Sequence, residues 1–416
     1  MAHLTVRIQR MLAGRVCRQL LVLAVLGAMA LGNALHQGFR TPSRMTQGSA
    51  SLAMALSAVV ASSAHGAPSG ASAVPPPETS AAALREIPLG LVGEVAGVVE
   101  ARDFMLVLGA DGRLWGCGVN TRGQLGLGLP QTEVPDFLPL PGRDYQTMAA
   151  GGAHALAIDR RGTLWGWGDD RYGQLGRGRA NHTPQDRPVR IARDIVAVAA
   201  GDRHSLAVRR DGALLAWGEN RWGEVGNGER GMVTTPVIIG QGFRAVAAGA
   251  GYSLAIDRQG RLWAWGRGES GRLGTGNDRD QLRPVLIGSG YRHAVAAAAQ
   301  SFATMQDGSL WAWGNNLLGQ LGDGTHEDRL RPVKVGSGYI VVASGGTHTL
   351  GLRRDGSVWA WGSNAQGQLA DGSFHDRLRP VRVAQGYDFI AAANGSTVLV
   401  RREGVLHRAG ARLLPP

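Results

Sequence analysis

Lysine is almost missing. Of the 44 basic residues, one, Lys334, is a lysine. The positive charge, net +12, is carried by arginines that stand singly or in pairs. No Lys/Arg run marks a nucleic-acid patch or a polybasic membrane segment. Arginine dispersed in this way reflects codon preference and does not select a nucleic-acid partner. Cysteine is also scarce: Cys17 and Cys117. They leave no intrachain disulfide once an N-terminal leader is removed, so cysteine usage does not fix a redox compartment. The sequence has no His-Glu-x-x-His, Cys-x-x-Cys or Gly-x-Ser-x-Gly pattern and no phosphate loop. No catalytic residue, metal site or cofactor is therefore expected, and the chain is read as a non-enzyme. Charged residues make up only 18% and hydrophobic ones 44%, which excludes disorder outside the N-terminal region.

What is abundant is glycine, 63 of 416 residues. At that density helices are disfavoured. The glycines are periodic. A box of the form Leu310-Trp311-Ala312-Trp313-Gly314 recurs with closing glycines at 118, 168, 218, 266, 314, 362 and 410. The spacing is 50, 50, 48, 48, 48 and 48, the signature of a repeat architecture. Ten of the 11 tryptophans occupy these boxes: Trp115, Trp165, Trp167, Trp217, Trp263, Trp265, Trp311, Trp313, Trp359 and Trp361. They are read as the repeat core. Cys117 replaces a box tryptophan and is read as a small apolar core residue.

Each repeat holds about four short strands, with Asp-Gly hairpin signals such as Asp355-Gly356. Seven four-stranded antiparallel sheets predict an all-β, seven-bladed β-propeller. A linear solenoid would need polar caps, and neither end carries one. Glu86-Ile87-Pro88-Leu89 matches the Arg-Pro-Val opening of the later repeats. Two arrangements stay open: each repeat forms one blade in phase, or the two termini share a blade.

Before the array stand two apolar runs with positive flanks, Leu20 to Leu31 and Ala50 to Ala64. Both are short for a membrane span. The second ends in Ala64-His65-Gly66-Ala67, as a cleavage site should. Residues 1–67 are read as an export signal or N-terminal membrane anchor, 68–85 as a Pro/Ala/Ser linker and 86–416 as the propeller. The expected location is periplasmic, cell-surface or secreted, or cytoplasmic if the leader is not a signal.

The boxes His204-Ser205-Leu206-Ala207, Asp211-Gly212, Leu310 to Gly314 and Gly319-Gln320-Leu321-Gly322 resemble the regulator of chromosome condensation repeat. The resemblance covers residues 86–410 and also implies seven blades. It implies guanine-nucleotide exchange on a small GTPase as one activity. The uniform repeat length leaves no blade with a long inserted wedge. Arginine-mediated nucleic-acid or chromatin binding is a further alternative.

The leading functional reading is an exported, non-enzymatic propeller that binds a protein partner as a monomer. Trp222 is the tryptophan outside every box. It precedes the Gly-Glu-Val-Gly copy of the Gly-Gln-Leu-Gly loop. The same loops carry Arg122, Arg171, Tyr172, Arg221, Leu317 and Leu318. Arg-Tyr and Arg-Trp pairs on neighbouring repeats match the residue types of binding hot spots. His154, His204 and His348 share one repeat position with Phe104, Tyr252, Gln300 and Ser396, which points to packing and a local hydrogen bond, not chemistry.

Overall fold

A computed structural model describes residues 84–89, 93–142, 144–393 and 395–411. The expected signal, and all of the expected linker except Leu84 and Arg85, lie outside the described residues. Among the described residues no helix is long and apolar enough to cross a membrane.

The described chain forms seven four-stranded sheets with strands in antiparallel order, apart from one three-residue 3-10 turn at Glu269–Gly271. These are the seven blades of a β-propeller. Blade 1 comprises Val95–Glu100, Phe104–Gly109, Leu114–Val119 and Glu133–Pro139. Blade 2 runs from Tyr145 to Ala192, blade 3 from Ile195 to Gly240, blade 4 from Phe243 to Gly288, blade 5 from Tyr291 to Ser337 and blade 6 from Tyr339 to Gln385. Blade 7 takes Phe389–Ala393, Ser396–Arg401 and Val405–Gly410, and its fourth strand comes from the other end of the chain. Arg85–Pro88 pairs antiparallel with Val405–Gly410, with Ile87 opposite Leu406. The termini therefore share a blade. The Arg-Pro-Val strand of each repeat closes the preceding blade, and the Trp box is the third strand of its own.

Burial follows strand order. The second strands are nearly buried throughout, as in Phe104–Gly109. The fourth strands run along the rim with every third or so residue exposed, as in Gln281–Gly288. A rim strand donates on one side only, so it tolerates Pro188, Pro284, Pro332 and Pro380. The blades pack face to face through separate clusters of Leu, Val, Ala and Trp.

The box tryptophans divide into two classes. Trp167, Trp217, Trp265, Trp313 and Trp361 are fully buried. Each indole Nε1 donates to a backbone carbonyl in the loop of the preceding blade: Gln124, Gln174, Glu224, Arg272 and Gln320, at 2.7–2.9 Å. The last glycine of that loop is obligatory because the indole lies on it. At Gly226, with φ +82°, an added Cβ would stand 2.7 Å from Trp265 Nε1. The first-position residues differ from expectation. Trp115 is buried, but Trp165, Trp263, Trp311 and Trp359 are only half-buried. They sit nearer the hairpin end, beyond the reach of the loop. Arg261 lies 5.5 Å from the Trp263 ring and Arg353 lies 4.0 Å from the Trp359 ring.

The shared histidine position completes a belt between blades. His154 Nε2 lies 3.0 Å from Ser205 Oγ, His204 Nε2 2.9 Å from Ser253 Oγ and His348 Nε2 3.0 Å from Thr397 Oγ1. Each hydroxyl donates onward to the loop carbonyl of the blade the histidine came from, at Gln174, Glu224 and Gln368. In blades 4 and 5 the same task falls to Tyr252, whose hydroxyl meets Ser301 Oγ at 2.9 Å, and Gln300, which donates to Ser344 Oγ at 2.9 Å. Between blades 1 and 2 the belt is replaced consistently by an apolar pair, Phe104 and Ala155, both buried.

The seam between blades 7 and 1 is built differently. Cys117 stands where a tryptophan would, and Met105 where Ser or Thr would. Glu100 and Arg408 occupy positions that hold Ala, Ser or Gly in the other blades. They form a buried ion pair, Arg408 Nη2 to Glu100 Oε1 at 2.9 Å, with Arg408 Nε donating to Ser396 Oγ at 2.7 Å. Burial raises the Glu100 carboxyl against the lowering pull of Arg408, and its Oε2 has no hydrogen-bond partner.

Candidate functional site: a loop face with arginine-flanked aromatics

The candidate loops connect the third and fourth strands of each blade. Their frame is fixed by side chains. Asn120, Asp170, Asn220, Asn316 and Asn364 accept from the backbone N–H five residues on. The glutamine of the Gly-Gln-Leu-Gly box accepts from the N–H two residues before it, so Gln174 holds Tyr172 N at 2.9 Å. The frame uses the backbone of the variable residue and leaves its side chain at the surface. Position 222 follows the same rule: Glu224 replaces the glutamine, and its Oε2 accepts from Trp222 N at 2.7 Å. Burial raises the Glu224 carboxyl to about 7. Asp170, under the Tyr172 loop, is raised by burial to about 6.

On this frame blades 2 and 3 carry matching stacks. Two arginines lie over the Tyr172 ring: Arg171, 5.9 Å from its centre, and Arg203 of blade 3, at 4.6 Å. Over the Trp222 ring lie Arg221 at 4.9 Å and Arg267 of blade 4 at 5.1 Å. Each aromatic thus takes one arginine from its own loop and one from the next blade. Three of the four arginines are paired with carboxylates. Arg171 forks onto Asp169, which these bonds hold below the usual carboxylate range. Arg203 reaches Asp202 at 3.7 Å and Glu219 at 3.5 Å, and Arg267 pairs with Glu269. Tyr172 and Trp222 remain half-buried and Arg221 is exposed.

The other candidates are placed apart. Arg122 sits half-buried on the equivalent loop of blade 1. Leu317, 67% exposed, and Leu318, 36% exposed, form an apolar tip on blade 5. The three histidines lie in the buried belt. Their pKa values are lowered by burial to about 4, 3 and 4 for His154, His204 and His348. Arg203 and Arg267 escaped the sequence reading. They lie on a turn and a strand exit, at no constant offset from the aromatic they cover, so periodicity does not flag them.

A stack of this kind offers a flat aromatic flanked by cations whose charges are partly balanced by carboxylates. Such a surface can bind by stacking, hydrogen bonding and cation–π contact.

The comparisons with known proteins agree with the architecture. Among curated protein sequences none matches this chain. Human WBSCR16 has a similar structure, at 22% identity and a TM-score of 0.66, over 78% of this chain and 89% of that one. Prp20p from Saccharomyces cerevisiae, described with binding properties to Gsp1p and histones, is similar at 18% identity and a TM-score of 0.66, over 76% and 83%. Yeast RCC1 (Prp20) bound to Kap60 is similar at 18% identity and a TM-score of 0.62, over 76% and 81%. The model of the RCC1-like domain matches residues 113–412, and the chain belongs to that family.

Proposed function

We propose that this propeller is an exported, non-enzymatic protein-binding module whose partner seats on the loop face of blades 2 to 4. One observation carries the reading. Tyr172 and Trp222 are aromatics that the repeat does not require, and each has two arginines from adjacent blades over its ring. Tyr, Trp and Arg are the residue types that dominate binding energy when a partner covers them. Leu317 and Leu318 extend the surface towards blade 5, and Arg122 extends it towards blade 1. Export rests on the apolar runs before residue 67; N-terminal sequencing of the mature protein tests it, with cleavage near Gly66 or Ala67 expected.

The test of the site is affinity capture with the folded chain and with a variant carrying Ala at 171, 172, 221 and 222. Loss of the captured protein with an unchanged melting temperature is expected. Undiminished capture would move the site elsewhere.

Family membership favours a second reading, exchange of guanine nucleotide on a small GTPase. Release of labelled GDP from candidate GTPases, accelerated by the propeller, would establish it.

A further inference from the structure

The seam between blades 7 and 1 leaves room where five other seams hold an indole. Around Trp167, blade 1 supplies Leu114 and Leu140, which face each other across its outer pair of strands. The residues of blade 7 in the same places are Leu406 and Ile87, paired in register. At the seam they face not a tryptophan but Cys117. Ile87, Leu406 and Cys117, together with Met105, Phe137 and Arg408, line a pocket of 170 Å³. Cys117, on its wall, stands at the box position that Trp167, Trp217, Trp265, Trp313 and Trp361 hold at the other seams.

The walls say what would fit. Apolar side chains dominate, with a phenyl ring at Phe137. The single charge on the lining, Arg408, is already matched by Glu100 at 2.9 Å, so the pocket does not call for an anion. An apolar cavity of about 150 Å³ opened inside a protein by substitution takes up benzene; the pocket here is of similar volume, though open to solvent on one side.

We propose that the slot between Cys117 of blade 1 and Leu406 of blade 7 is a binding site for a small, neutral, planar aromatic molecule of indole size.

The probe is indole, titrated into the full chain and followed by calorimetry and by the melting temperature. One equivalent is expected to bind, and the melting temperature should climb with indole concentration as linkage requires. Cys117→Trp supplies the missing side chain and should weaken indole binding by at least roughly tenfold, a difference of about 1.4 kcal/mol. Cys117→Leu fills less of the slot and serves if the tryptophan variant does not fold. N-acetyltryptophanamide separates a free molecule from a tryptophan side chain of another protein. Binding of indole that is tighter than that of the amide, and lost in the filled variants, bears the proposal out. Absence of binding to the unmodified chain, unchanged binding in a folded filled variant, or tighter binding of the amide would each overturn it.

Discussion

Acid should open this propeller at its histidine belt, and the structure sets the size of the effect. Ser205 Oγ donates to Gln174 O and Thr397 Oγ1 to Gln368 O. Their hydrogens are committed, so towards the imidazole they accept, and the network assigns the proton of His154 and His348 to Nε2. The Nδ1 atoms of both are buried with no partner. A second proton would place an N–H donor where no acceptor is in reach, and a charge in the buried interior. Burial accordingly lowers His154, His204 and His348 from 6.5 to about 4, 3 and 4. The sign follows from linkage. The unfolded chain binds protons that the folded chain refuses, so the stability is fully present above pH 6.5 and is lost as pH falls towards 4. Between pH 7 and 4.5 each imidazole forfeits about 2–3 kcal/mol. Glu224 and Asp170, raised by burial, act in the opposite sense over part of this range, so a single melting curve against pH would mix the two. A difference isolates the histidines. Gln already serves at position 300, and the triple variant His154→Gln, His204→Gln, His348→Gln should lose about 6–8 kcal/mol less than the parent between pH 7 and 4.5. Urea unfolding at the two pH values measures it. Equal losses in both proteins would refute the belt as the acid-labile element.

Other perturbations report on other parts of the fold. Trp313→Ala removes a fully buried indole and its bond to Arg272 O, and should cost about 3–5 kcal/mol by denaturant unfolding, whereas Trp311→Ala, at a half-buried position, should cost distinctly less. Arg408→Ala strands the Glu100 carboxylate and should cost about 3–5 kcal/mol, while the double variant Glu100→Ala, Arg408→Ala, with small residues as in the other blades, should recover most of that loss. Glu224→Gln restores the usual loop residue; since the carboxyl is raised from 4.5 to about 7, its charge costs stability progressively as pH rises through that window, and the variant should gain up to about 3 kcal/mol at pH 8 with little change at pH 4.5.

The period of the boxes made the seven blades legible, because five of the seven seams use the same Trp, Gly and loop to join neighbouring blades. The phase was not legible: the pairing of Arg85–Pro88 with Val405–Gly410 joins the two ends of the array, and no local pattern states which strands of a repeat hydrogen-bond. The histidine position was visible as a column, but its meaning lay in the next residue of the next repeat. Ser205, Ser253, Ser301, Thr349 and Thr397 each follow a belt residue, and where Ala155 breaks that run, Phe104 breaks the other column. Reading the two columns together would have predicted the belt. Tyr172 and Trp222 were found as departures from the repeat. Their covering arginines, Arg203 and Arg267, were not, since contact between blades depends on turn geometry that spacing does not encode. The Glu100–Arg408 pair was not legible, because the two residues stand in the first and last repeats and meet only at the seam that joins the ends of the array.

The loop face is tested most directly by hydroxyl-radical footprinting of the propeller with its captured partner bound and removed. Tyr172 and Trp222 should both lose reactivity on binding, with Leu317 and Leu318 following if the partner reaches blade 5. Unchanged reactivity at Tyr172 and Trp222, with protection confined to the rim strands or to another loop set, would contradict the account.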